Sequence, residues 1–282
     1  MYTALSLPAL GIDADLPTTA ALAAAHGFDA VELNAREVAE LGAERARELV
    51  EAAGLRVGGF LLPLEWHEDE ETWRRELEQL PRLAGAAVAA GCETAFTWIW
   101  PFSDTRDWDD NWAFHVERLT PIVAILDELG CRLALEYVGP ATMRAGHRHA
   151  FVHRLPEALE LATQLGERVG VLIDTYHWHT TGADADELRA LPLERIGYVH
   201  VNDAPAGLPV DELDDLRRAL PGETGVIDVD TFLTIVRDAG YAGPVVAEPF
   251  EAAMAGLPSD DDARVAATAA AMRRVLDGVP QG

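Results

Sequence analysis

One unit recurs along this chain: a helix rich in Ala, Leu and charged residues, then a glycine, then an apolar run of about five residues, the length of a strand. It is seen in AAAHGFDAVEL, EAAGLRVGGF, AAGCETAFTW, DELGCRLALEY, ATQLGERVGVLID and RDAGYAGPVVAE. Glycine suits the end of a helix, where positive φ is wanted, so each copy marks a helix-to-strand junction. With the opening TALSL and the segment RIGYVHV, the pattern predicts eight strands, near 2–7, 29–33, 55–61, 92–98, 131–137, 169–174, 196–201 and 243–248. The runs are apolar on both faces, as parallel strands covered by helices are. Eight such units in one continuous chain favour a closed (β/α)8 barrel over a doubly wound sheet, and no GxGxxG follows the first strand. The expectation is a single barrel domain over 1–282, a length that allows a sizeable core.

Some helices are placed by their ends. SDDDARVAATAAAMRRVLDG offers Ser259 as an N-cap, acidic residues in its first turn, and Arg273 and Arg274 near its end, all suited to the helix dipole. HEDEETWRRELEQLPRL reads as another helix with an acidic start. The longest connections, about 99–112, 138–154 and 202–228, follow the fourth, fifth and seventh strands, on the face where barrel loops build active sites. His147, His149 and His153 fall in the middle one.

The charge balance excludes several functions. There are 48 acidic residues against 22 basic ones, a formal net charge of -26, and every basic residue is arginine. Without lysine there is no Schiff base, no lysine general base and no lysine of a phosphate-binding loop. Such acidity repels nucleic acid and anionic membranes, which are bound through clustered positive charge. Cys92 and Cys131 each follow a glycine before an apolar run and read as small buried hydrophobes of a reducing compartment. The opening MYTALSLPALGIDAD has no basic n-region and no membrane span is evident, so a cytoplasmic location is expected.

Four of the apolar runs end in a residue able to bind a metal: LALE at Glu136, VLID at Asp174, YVH at His200 and VVAE at Glu248. Each taken alone has a structural explanation: Asp174 can cap a turn, His200 can be a satisfied core histidine, and either glutamate can meet an arginine. Four at equivalent ends of consecutive strands, the fifth to the eighth, argue for a shared site. The set is borderline-hard and suits Mn²⁺, Mg²⁺, Co²⁺ or Zn²⁺, with positions left for water or substrate oxygens.

With these ligands in place, the chain resembles the xylose isomerase-like TIM barrel superfamily, the sugar phosphate isomerase/epimerase family that includes ketose 3-epimerases and 2-keto-myo-inositol isomerase. The resemblance rests on LEYVGP around Glu136, DTYHWH from Asp174 to His179, HVNDAP from His200 to Pro205, RALPGETGVID from Arg218 to Asp228, and GYAGPVVAEPF ending at Phe250. These motifs span nearly the whole second half; the first half matches in its strand and helix rhythm. The resemblance implies one divalent ion, often manganese, on Glu136, Asp174, His200 and Glu248, with His177 and Arg218 near the substrate. Glu223 of the PGE motif reads as structural. The family's DNA-repair branch uses three zinc ions and more ligands, and the acidity here independently argues against DNA. Relatives often form dimers or tetramers, so a homodimer or homotetramer is the expectation that follows.

The chemistry expected of such a site is removal of the C–H proton beside the carbonyl of a ketose, keto-inositol or related polyhydroxy ketone, through an enediolate. Glu136 and Glu248 can exchange the proton, giving epimerisation or isomerisation. Expulsion of a β-hydroxyl or aglycone would instead make the enzyme a lyase, an inosose-type dehydratase or an eliminating deglycosidase, and a non-catalytic binding subunit is the third reading. Trp66, Trp98 and Trp178 are candidates for an apolar platform under a sugar or cyclitol, alongside Trp100, Phe102 and Tyr137. His147 and His149 are candidates for gripping an acidic substituent. Asp203 is a candidate for a sugar hydroxyl or a ligand histidine, with turn formation in VNDAPAG as its structural alternative.

Overall fold

The computed structural model describes residues 1–256 and 260–278. Its strands are β1 (Tyr2–Leu5), β2 (Ala30–Val31), β3 (Arg56–Val57), β4 (Phe60–Leu61), β5 (Thr94–Ile99), β6 (Phe102–Ser103), β7 (Arg132–Tyr137), β8 (His149–Ala150), β9 (Val169–Asp174), β10 (Ile196–Val201) and β11 (Pro244–Ala247). Nine of them form one parallel sheet in the order β3-β2-β1-β11-β10-β9-β7-β5-β4. Its two end members, β3 and β4, are halves of the third run read from the sequence. The ladder therefore closes on itself, and the architecture is the (β/α)8 barrel.

The break in that third strand has a cause on the far side of the ring. Tyr198 of β10 sends its side chain across the interior, and its hydroxyl accepts the Gly59 N–H at 2.9 Å. A Cβ on Gly59 would lie 2.7 Å from Tyr198 Cε2, so only glycine lets the ring approach this closely. Ala4, Ala30 and Ala134 keep the interior open for Phe96 and Tyr198, whose rings stack at 4.9 Å. The filled interior is therefore a packed layer beneath the mouth of the barrel.

Helices cover the outside, most of them ending where the glycines predict. Gly27 (φ 76°) and Gly130 (φ 75°) turn the chain from helix to strand in the left-handed region. Aspartates start many of the helices, with Asp15, Asp69, Asp107 and Asp260 each accepting a backbone N–H of the first turn. Two expectations are corrected here. The last helix, Asp261–Asp277, is capped by Asp260, while the expected cap Ser259 lies outside the described residues. The acidic stretch read as one helix is two, Glu70–Leu77 and Leu80–Ala89, because Pro81 is tolerated only in the first turn of the second. Cys92 and Cys131 are buried and unpaired. Among the described residues, no helix is long and apolar enough to cross a membrane.

The connections expected to be loops carry structure of their own. β6 and β8 pair antiparallel, Phe102 with Ala150 and Ser103 with His149, tying the loops after the fourth and fifth barrel strands together. The 202–228 connection folds back on itself through a bridge between Asp203 and Ala219.

Candidate active and metal site

Inward-facing positions at the carboxyl ends of four adjacent strands bring the expected ligands together. Glu136 of β7, Asp174 of β9, His200 of β10 and Glu248, one residue beyond β11, each offer a ligand atom, and these atoms all lie within 4.8 Å of one another. Strand register produces this: His200 pairs with Asp174 on one side and with Val246 on the other. His200 Nδ1 is 3.6 Å from Glu136 Oε1, 3.4 Å from Glu248 Oε2 and 4.0 Å from Asp174 Oδ2. Ligands about 2.1 Å from a common ion sit about 3–4 Å from one another, so these spacings suit a single cation.

Electrostatics and hydrogen bonding both fit a cation here. Glu136 Oε1 and both ring nitrogens of His200 are buried without hydrogen-bond partners, a costly arrangement unless an ion satisfies them. Burial and the neighbouring Glu248 push Glu136 above the usual carboxylate range. Burial works to lower His200, yet Glu248 and Glu136 hold it well above an ordinary histidine. The carboxylates thus draw positive charge to the point they share.

Asp174 divides its carboxylate between two tasks. Oδ1 accepts the Tyr176 N–H at 2.6 Å, starting the short helix Thr175–Thr180. Oδ2 faces the cluster and accepts from Asn202 Nδ2 and Arg218 Nη1, both at 2.9 Å. Burial opposes its ionisation, but Arg218 and the two histidines hold it below the ordinary range. The capping role read from the sequence is therefore real and coexists with the ligand position.

Arg218 is locked into the ligand set. Nη1 donates to Asp174 Oδ2 and, at 3.0 Å, to Glu248 Oε2; Nη2 donates to Asp215 Oδ1 at 2.9 Å. The guanidinium lies over the rings of Phe250 at 4.5 Å and Tyr176 at 5.0 Å. Although burial opposes it, Asp215, Asp174 and Glu248 hold its charge in place. His177 is also buried, accepts the Gly139 N–H at Nδ1 over 3.3 Å, and has Nε2 3.6 Å from Glu136 Oε1. Nε2 faces Glu136 Oε1 and, at 3.4 Å, Arg218 Nη2, so the ring sits between the carboxylate and the guanidinium.

Several candidates are placed elsewhere. Asp203 is corrected to a structural role: it is 0% exposed, and its two oxygens accept the backbone N–H groups of Ala204, Ile227, Thr224 and Gly225. No oxygen remains for a sugar hydroxyl. Its neighbour Asn202, passed over in the sequence because an amide carries no ligand signature, does the orienting work. Trp66 is also corrected: it is 0% exposed, donates to Thr97 Oγ1 at 3.0 Å, and packs beside His67 and His115 below the surface. Trp178 packs on Phe232 of the helix Val229–Asp238 and donates to Asp184 O, so it belongs to the helix layer. Trp98 pairs in register with Glu136, and its buried Nε1 has no partner. His147 is exposed, stacked on Phe102 at 3.4 Å and 2.9 Å from Asp104 Oδ2; His149 lies half-buried in β8. Glu223 accepts the Leu220 N–H at 3.0 Å, the structural role expected of it.

The chain is 30% identical over 136 residues to an inosose isomerase of Halalkalibacterium halodurans, covering 48% of this chain and 45% of that protein. It is 30% identical over 148 residues to a 3-dehydroshikimate dehydratase of Pseudomonas putida, covering 49% of this chain and 22% of that protein. The chain thus spans less than half the length of either relative in these alignments. In structure it superposes on a xylose isomerase domain protein of Alicyclobacillus acidocaldarius with a TM-score of 0.86 at 28% identity, covering 99% of both chains. A model of one family matches residues 20–275, nearly the whole barrel and all four clustered ligands, and the chain belongs to the xylose isomerase-like TIM barrel family.

Proposed function

We propose that this chain is a divalent-metal-dependent isomerase or epimerase of a small polyhydroxy ketone, a ketose or keto-cyclitol. The observation that carries the reading is the pair Glu136 and Glu248, whose carboxylates flank His200 Nδ1 at 3.6 and 3.4 Å, with Glu136 Oε1 unpartnered. Held by Glu136, Asp174, His200 and Glu248, a divalent ion supplies Lewis-acid polarisation of the substrate carbonyl, with Mn²⁺ the first choice and Mg²⁺, Co²⁺ or Zn²⁺ as alternatives.

The chain's own residues move the proton. One glutamate takes it from the carbon beside the carbonyl, leaving an enediolate, and a glutamate returns it. Return from the opposite face inverts the carbon; return to the neighbouring carbon moves the carbonyl. His177 Nε2 hydrogen-bonds an oxygen of the substrate beside Glu136. Arg218 keeps Asp174 and Glu248 oriented. The site takes small molecules; the net charge of -26 disfavours nucleic acid and anionic membranes as partners.

The test is solvent exchange. Metal-loaded protein incubated in D₂O with a panel of ketoses and keto-cyclitols is expected to lose one substrate C–H signal by NMR, and Glu248→Gln to abolish the loss. Absence of exchange across the panel overturns the reading. The inosose isomerase likeness favours it. The 3-dehydroshikimate dehydratase likeness favours a second one, in which the same enediolate expels a β-hydroxyl. Loss of water from the product mass separates the two. A non-catalytic barrel is disfavoured by the convergence of Glu136 and Glu248 on one point.

A further inference from the structure

A third glutamate reaches the barrel interior without a place in this scheme. Glu32 follows β2, whose neighbour β1 receives its N–H at Leu5 O over 3.0 Å. In the closed ring the second strand lies across from the sixth, which carries Asp174. Tyr198 OH donates to Glu32 Oε1 at 3.0 Å, and Tyr198 has already accepted the Gly59 N–H, so its one proton is committed to Glu32. Ser6 hydrogen-bonds the same carboxyl, and the charges of His200 and Glu248 act on it. Among the described residues, Glu32 has no ion-pair partner. It is half-buried, not sealed.

A carboxyl in such a place without a cation is costly as a structural element. Holding the Tyr198 hydroxyl requires only an acceptor, which a glutamine or a main-chain carbonyl supplies equally well. The surplus is an acidic group, half-buried at the carboxyl end of the strand across from the one that carries Asp174. Resting on the function proposed above, we infer that Glu32 is a substrate-binding residue: it hydrogen-bonds a hydroxyl of the polyol remote from the oxygens held at the ligand cluster, and so selects substrates hydroxylated there. Burial, countered only in part by His200, pushes its carboxyl above the usual range, which favours the protonated form able to donate as well as accept. Tyr198 holds Oε1 and Ser6 bonds the same carboxyl, whose remaining lone-pair positions are left for the ligand. A site built to bond a hydroxyl strongly rejects the analogue that lacks it, because its buried polar group is left unpaired.

The test uses Glu32→Met, which keeps the length of the side chain and removes its hydrogen bonding, with Tyr198→Phe as the second variant. Binding of cyclitols and open-chain sugar alcohols, each in fully hydroxylated and monodeoxy forms, is measured by titration calorimetry on Mn²⁺-loaded protein, so no turnover is required. The wild type is expected to bind one hydroxylated form about tenfold or more tighter than its deoxy analogue. Glu32→Met is expected to erase that difference while keeping the wild-type Mn²⁺ affinity, and Tyr198→Phe to reduce it. A hydroxyl preference unchanged in Glu32→Met, or no binding of any polyol by the wild type, overturns the inference. Failure of the proton-exchange reaction alone, with the binding preference intact, overturns the proposed chemistry and leaves the role of Glu32 standing.

Discussion

Asn202 ties Asp174 to its surroundings: its amide donates to Asp174 Oδ2 at 2.9 Å while its carbonyl accepts the Glu248 N–H at 3.0 Å. One neutral side chain thus sets the position of two ligands on different strands. Groups that orient ligands typically contribute about 10–100-fold to metal affinity. Asn202→Ala is expected to weaken Mn²⁺ binding by a factor in that range with little change in fold, as measured by calorimetry and circular dichroism.

Arg218, itself buried, balances three carboxylates, of which Asp174 is fully buried. Removing one member of a buried charge set costs about 3–5 kcal/mol, because the remaining charges are left uncompensated. Arg218→Met is expected to destabilise chelator-treated protein by that amount in urea unfolding. Added divalent ion, which supplies positive charge at the same point, is expected to recover part of the loss.

The close approach of Tyr198 to the third strand makes Gly59 sensitive to a single methyl group. A Cβ there meets Tyr198 Cε2 at 2.7 Å and Thr94 O at 3.1 Å. Overpacking of this kind costs about 1–3 kcal/mol. Gly59→Ala is expected to lower the melting temperature, and combining it with Tyr198→Leu, which empties the contact, to recover part of the loss.

His115 gives the fold an acid limit. Its Nδ1 is 2.7 Å from Asn111 O, its Nε2 is buried without a partner, and burial lowers its pKa to about 3. The unfolded chain, with an ordinary histidine near 6.5, takes up a proton first as pH falls. Full stability is therefore present above about pH 6.5 and is lost as pH falls toward about 3, by roughly 2 kcal/mol at pH 5 from this one group. Burial lowers His67 too, to about 4, so its loss falls in the same window. His115→Leu is expected to flatten the dependence of the urea midpoint between pH 7 and pH 5.

The cluster of four strand-end residues was legible in the sequence because each closes an apolar run and a strand's phase is fixed by its burial. Glu136, Asp174, His200 and Glu248 share that signature, and register did the rest. Glu32 ends the apolar part of FDAVEL in the same way, but Leu33 follows it and extends the run by one residue, hiding the boundary. Asp203 was favoured over Asn202 because a carboxylate has the more obvious chemistry, whereas the pleat turns the amide inward and gives the acid to the loop. Trp66 and Trp178 lie beside strand ends but face the outer layers, a distinction that needs the path of the loop. The pairing of β6 with β8 joins segments far apart in the chain, each too short to carry an alternation pattern.

Main-chain bonds run on through the bend in the third strand, from Gly58 N–H to Val31 O at 2.8 Å and from Leu33 N–H to Gly59 O at 3.1 Å, while the Gly59 N–H turns inward to Tyr198. Tyr198 works as a spoke, fastened to the hub side of β10 and bonded at its tip to the rim at Gly59 and Glu32. His200 projects from the same strand two residues later. A displacement of β10 along its axis is therefore transmitted to both at once: the imidazole that faces the cation position and the carboxyl on the far wall move as parts of one lever.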